Sequence, residues 1–251
     1  MTATHATPRP HADTALPPIV SAEEWSRARA ELLEVEKAQT RANDAVAAKR
    51  RQLPMVEVDA TLEFEGPDGT VTLLDLFDGR RQLLLYHNML KAGESPCPGC
   101  SAFTDFLPHL SQLNVWDVTF VQEAAAPYEE FRAHVDELGR PDVPVVSTHG
   151  TGTREVLHQS PHGVGSFSLT VYVRDGERVF RTWSTQGRGV DTINLMDVTI
   201  YGRQQAFQDV PDGWPQRPTY SFGKVHTDYT DDELAGLAAP STTGQTASDE
   251  G

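Results

Sequence analysis

Cysteine is nearly absent from this chain: Cys97 and Cys100 are the only two among 251 residues. A four-thiolate zinc site is excluded, because no second pair exists to complete it. Basic residues are also scarce, 21 against 36 acidic ones, for a net charge of −15. Such a surface repels phosphate backbones and anionic lipid headgroups, so neither a nucleic-acid nor a membrane-surface partner is expected. No run approaches the roughly 18 apolar residues of a spanning helix. The opening segment MTATHATPRPHADTALPPIV lacks the apolar centre of a secretory signal. A cytoplasmic location is the expectation. A structural disulfide would be unusual there, which shifts the weight for the two cysteines toward catalysis or metal binding.

What the chain does contain is one informative stretch, Gln82 to Phe106, reading QLLLYHNMLKAGESPCPGCSAFTDF. Leu83-Leu84-Leu85-Tyr86 has the length of a buried strand. A Gly- and Pro-bearing loop follows and delivers Cys97-Pro98-Gly99-Cys100. Beyond it, Phe103, Phe106, Leu107, Leu110 and Leu113 recur at the spacing of one helical face. The cysteines thus stand where a strand hands over to a helix. A helix start offers unpaired N–H groups and the positive end of the helix dipole, both of which lower a thiol pKa. A second thiol one turn later can close on the first, and Pro98 fits a first turn because its missing N–H would be unbonded there. Thiol–disulfide exchange is the simplest chemistry for this arrangement. Cys97, nearer the loop, is the candidate nucleophile and Cys100 the resolving thiol.

Around this stretch the pattern is α/β. Ser21 and Glu24 make a capping box that opens a long charged helix over 20–51, with Trp25, Ala28, Leu32, Val35, Ala42 and Val46 along one stripe. Packing of that helix on the domain, or a homodimer through it, is expected. Val56-Glu57-Val58 and Leu62-Glu63-Phe64 alternate as half-buried strands, Gly66-Pro67-Asp68-Gly69 turns the chain, and Leu73 to Phe77 reads as a short helix. Asp117 to Val121 is a second buried strand, Tyr128 to Leu138 a helix, and Val143 to Ser147 a strand tolerant of an edge because Pro144 removes a ladder donor. Leu169 to Val173 and Arg178 to Trp183 flank Asp175-Gly176 as a hairpin. Residues 1–19 and 236–251 carry the composition of disordered tails. A core domain over 52–205 and an extension over 206–235 packed on it complete the division.

Strand, helix, strand, helix, strand and hairpin, with a thiol pair after the first core strand, resemble the thioredoxin-like fold: a central mixed sheet flanked by helices. A narrower resemblance rests on ordered motifs: EEW near Ser21, FEGPDG at 64–69, LLDLFDGRRQLLLYH at 73–87, CPGCS at 97–101, DVTFV at 117–121, VYVRDG at 171–176, TWSTQGRGVDTIN at 182–194 and DVTIYGR at 197–203. Over residues 19–205 these are similar to the DUF899 family of predicted thioredoxin-like dithiol–disulfide oxidoreductases. The resemblance implies a redox pair at Cys97 and Cys100 that needs no bound cofactor. Its partners would be a small-molecule or thiol substrate and an external thiol reductant. Two features depart from typical thioredoxins: no proline precedes the strand at Leu169, and the inter-cysteine dipeptide is Pro-Gly rather than Gly-Pro. Both favour a small substrate over a large protein disulfide.

Further candidates are single residues. His87 ends the core strand on its carboxyl side, where it would stabilise or deprotonate Cys97; a backbone-bonded core histidine is the plainer alternative. Arg188, between Gly187 and Gly189, is a substrate-anion candidate or a structural partner of Asp191. His149, His158 and His162 lie among glycines. His158 and His162 with Cys97 and Cys100 would suit copper or zinc, the alternative to a metal-free site, although solvated loop histidines explain them equally. A thioredoxin-fold interaction module with incidental thiols is the third reading. Trp25, Trp116, Trp183 and Trp214 are expected to be packing residues.

Overall fold

A computed structural model describes residues 16–114, 116–157 and 167–186, with isolated positions 206, 212, 216, 218 and 230. The first element is α1, Ala22–Arg51, and both halves of its capping box form: Glu24 N–H donates to Ser21 Oγ, and Ser21 N–H donates to the Glu24 carboxylate. Glu23 and Glu24 in the first turn and Lys49, Arg50 and Arg51 in the last oppose the helix dipole.

Among the described residues eight strands follow: β1 Val56–Val58, β2 Glu63–Gly66, β3 Gly69–Thr72, β4 Gln82–Lys91, β5 Val118–Ala125, β6 Val145–Ser147, β7 Ser168–Asp175 and β8 Arg178–Gln186. They form one sheet in the order β1-β8-β7-β4-β5-β6-β2-β3. Helices α2 Pro98–Asp105, α3 Ser111–Asn114, α4 Tyr128–Glu137 and α5 Thr153–Leu157 lie between them. The centre of the sheet is β8-β7-β4-β5, in which β4 and β5 are parallel and joined through α2, while β7 and β8 form an antiparallel hairpin beside β4. A β-α-β unit whose first strand pairs with a following hairpin is the thioredoxin-like arrangement, and the fold is thioredoxin-like.

β4 organises the whole because both of its faces are covered. Period-two alternation sends Leu83 and Leu85 to one side, where they meet Phe64, Phe77, Val121, Leu157 and Tyr172. Tyr86 and Leu90 go to the other, against Cys100, Phe103, Phe120, Ala124 and Phe131. The pairing of β4 with β5 shifts register between His87 and Lys91, at the end that leads toward the cysteines.

Three expectations need correction. The helix after the cysteines is not continuous: α2 stops with Phe106 as its C-cap, and α3 begins only at Ser111. Pro108 explains the break, since it cannot donate to the preceding turn and disfavours helical geometry just before it; Phe106 is left half exposed. β6 is not at an edge but between β5 and β2. Pro144 precedes it and gives only its carbonyl, which accepts from Gln122 N–H. Trp25 and Trp116 are not packing residues, at 61% and 75% exposed. Trp183 is partly covered, with the Arg50 guanidinium 5.2 Å above its ring.

Candidate functional site

Cys97 is the N-cap of α2, with φ −71° and ψ 121°, and Pro98 occupies the first turn. Ser101 N–H closes that turn on Cys97 O at 3.0 Å. The amide groups of Gly99 and Cys100 therefore face Cys97 Sγ, although no side-chain cap of ordinary hydrogen-bond geometry forms. Cys97 is partly exposed and Cys100 buried, and both thiols are free.

The two sulfurs share a proton unequally. The Cys100 S–H donates to Cys97, and together with the two amides it lowers the Cys97 pKa to about 6 against the opposing effect of burial. Cys100 is pushed well up, first by the same hydrogen bond, then by burial and by the charge on Cys97. Two groups act the other way on Cys100: the Tyr86 hydroxyl and the Met89 amide.

Tyr86 is fully buried and its ring stacks on Phe103 with centroids 4.1 Å apart. Its hydroxyl finds no hydrogen-bond partner of good geometry, and burial, followed by the neighbouring sulfurs, pushes its pKa well up. A protonated phenol is thus held beside the resolving thiol. Below it, Thr104 Oγ1 donates to Cys100 O at 2.9 Å, and Gln122 Nε2 donates to Thr104 Oγ1 at 3.0 Å, so the base of α2 is pinned to β5. At the α2 surface, Ser101 Oγ and His134 Nε2 are 3.0 Å apart.

His87 sits elsewhere in the chemistry. Alternation puts it on the sheet face opposite Tyr86, where its Nδ1 lies 2.6 Å from Glu123 Oε1 and its Nε2 lies 2.8 Å from Thr170 Oγ1. Both ring nitrogens are thereby committed to partners other than a cysteine sulfur. Glu123, fully buried, also accepts from Arg154 Nη1 at 3.1 and 3.0 Å and from Thr148 Oγ1 at 2.9 Å. Arg154 Nη2 reaches Asn88 O at 3.0 Å, tying α5 to β4. This buried ion pair locks the face behind the cysteines.

The other sequence candidates are not drawn together here. Arg188, His158 and His162 lie outside the described residues, as does Trp214. His149 is exposed, with Nδ1 3.2 Å from Ala125 O. Among the described residues no group of three or more His, Cys, Asp or Glu is placed to hold a metal ion. No described helix is long and apolar enough to cross a membrane. A cleft of about 400 Å³ between α4 and β3 is lined by Val71, Tyr128, Arg132 and Val143, and neither cysteine borders it.

Sequence reasoning missed Tyr86 as a polar neighbour of the thiols and missed the Glu123–Arg154 pair. Gln122-Glu123 at the end of an apolar run was the available signal: a carboxylate inside a central strand must have a partner nearby. Arg154 gave none, because α5 is a single short turn beside glycines.

Three solved structures that the chain resembles are a thioredoxin from Wuchereria bancrofti, apo Sco1 from Thermus thermophilus and oxidized Prx3 from Vibrio vulnificus. The thioredoxin is 21% identical over 48% of this chain and 81% of its own, with a TM-score of 0.33. Sco1 is 16% identical over 51% and 83%, with a TM-score of 0.32. Prx3 is 15% identical over 55% and 88%, with a TM-score of 0.31. No curated protein matches the sequence. The family described as "Bacterial protein of unknown function (DUF899)" matches residues 14–229, and the chain belongs to it.

Proposed function

We propose that this protein is a cytoplasmic dithiol–disulfide oxidoreductase acting on a small disulfide or thiol substrate. The observation that carries the reading is the unequal pair at the start of α2: a partly exposed Cys97 with its pKa lowered to about 6, and a buried Cys100 held as a thiol. Cys97 thiolate attacks one sulfur of the substrate disulfide. A Cys97–substrate mixed disulfide forms, and the other substrate sulfur leaves as a thiolate. Cys100 then loses its proton and attacks Cys97 Sγ. The Cys97–Cys100 bond forms, the second substrate thiolate departs, and the released proton neutralises it. Two electrons have passed from the pair to the substrate, and an external dithiol returns them.

The Tyr86 hydroxyl and the Met89 amide serve the second step. Both stabilise negative charge on Cys100, and the rise in Cys100 pKa that comes from Cys97 itself disappears once that sulfur is bonded to substrate. The same groups would receive the leaving Cys100 thiolate when an external thiol opens the disulfide at Cys97.

Trapping tests the reading. Cys97→Ser is expected to abolish turnover of a small disulfide such as oxidised glutathione or dithiobis(nitrobenzoate). Cys100→Ser is expected to accumulate one equivalent of mixed disulfide at Cys97, visible as an adduct in the intact mass. Full turnover by both variants would end the proposal.

A further inference from the structure

We propose that α1 pairs antiparallel with the α1 of a second copy of this chain, making the protein a homodimer through the seam from Trp25 to Val46. The inference is independent of the cysteine chemistry and starts from spacing. Trp25, Ala28, Leu32, Val35, Gln39, Ala42 and Val46 fall at alternating intervals of three and four residues. That is the a/d repeat of a coiled-coil seam sustained over three heptads, with one polar position, Gln39, of the kind that fixes register.

This seam is open. Trp25 is 61%, Leu32 51%, Val35 64% and Val46 46% exposed, although they are the largest apolar side chains of the helix at these positions. The more covered positions fall beside the seam. Arg29 and Glu36 are half-buried and bond each other at 2.8 Å, and Ala47 and Ala48 are half-buried as well. A helix of 30 residues with this many open apolar positions has packing to gain from a partner.

Charge identifies the partner and its direction. Residues 22–36 hold Glu23, Glu24, Glu31, Glu34 and Glu36 against Arg27 and Arg29, a net of −3. Residues 37–51 hold Lys37, Arg41, Lys49, Arg50 and Arg51 against Asp44, a net of +4. Two copies side by side in parallel would set like halves against each other. Antiparallel, each acidic half lies beside a basic half and the helix dipoles also oppose, so the helix is complementary to itself.

The experiment uses the full chain. Light scattering coupled to size exclusion should give about twice the 27.6 kDa chain mass. Leu32→Glu with Val35→Glu should return it to the single-chain mass. Leu33→Glu, exposed but off the seam, should leave the dimer intact, and equal Cys97 reactivity in all three shows that the domain stays folded. Direction is read from spin labels at Ala22→Cys in a Cys97→Ser, Cys100→Ser background. Antiparallel helices of this length separate the labels by about 40 Å, whereas parallel ones leave them within about 20 Å. A wild-type monomer, a dimer indifferent to the paired glutamates, or the short label distance would each overturn the proposal.

Discussion

The ionisation of Cys97 makes a prediction that can be worked through. At pH 7 a thiol with a pKa of about 6 is roughly 90% thiolate, against about 3% for a free cysteine at about 8.5, a gain of roughly thirtyfold. Lower basicity also weakens the nucleophile. With a Brønsted slope of about 0.4–0.5, a pKa lower by about 2.5 reduces intrinsic reactivity by about ten- to eighteenfold. The net advantage at pH 7 is therefore only about two- to threefold. At pH 6 it grows to about ten- to fifteenfold, and at pH 9 Cys97 becomes about tenfold slower than a free thiol. A single-pH assay would miss this; a profile will not. Alkylation of Cys97 by iodoacetamide, followed by peptide mass from pH 4.5 to 9.5 beside a model peptide, should inflect near 6 and level off above 7. Cys100→Ala removes the largest stabilising contact and should move the inflection upward. An inflection near 8.5 in the wild type would refute the reasoning.

Three further outcomes are expected. Tyr86→Phe keeps the stacking on Phe103 and removes a hydroxyl that lacks a good partner, so urea unfolding should show equal or higher stability while resolution slows and the mixed disulfide lingers; unchanged resolution would remove Tyr86 from the mechanism. Arg154→Met leaves the Glu123 carboxylate buried without its guanidinium, which costs about 3–5 kcal/mol and, for a domain of this size, lowers Tm by roughly 6–20 °C. Relative to Cys97→Ser with Cys100→Ser, the stability of the reduced protein should climb from about pH 6 to a maximum near about pH 8.5 and decline above it. The depressed Cys97 contribution is present above its unfolded value and fades as pH falls through about 6. The raised Cys100 contribution is present below its unfolded value and fades as pH rises past it. Chemical denaturation across pH reads both limbs.

How far the sequence reaches is clear from particular elements. The capping box at Ser21, the hairpin at Gly176 and the strand leading to the cysteines carry local signals that need no tertiary context, and each is found in place. The break after Asp105 was legible in Pro108, but the apolar spacing on either side of it imitated one continuous face. Position in the sheet was not legible for β6: a strand of three residues beside a proline reads as an edge until β2 and β3 are known to pair beyond it. The pair at Cys97 and Cys100 could be read because its chemistry depends on a local turn. The neighbours that tune it could not, since Tyr86 and Met89 reach Cys100 only after β4 and α2 pack. His87 shows the same limit. Its place on the core strand was readable, but the strand runs on past it to Lys91 instead of ending there, and one step of alternation decides which face it joins; that step gives it to Glu123.

The most direct measurement is a redox titration of the intact protein in dithiol–disulfide buffers, with free thiols counted after each equilibration. Cys97 and Cys100 should appear and disappear together and reversibly, with a midpoint between about −120 and −270 mV, the span of catalytic pairs. A midpoint below about −300 mV, typical of a structural disulfide, or a pair that never closes, would contradict the account.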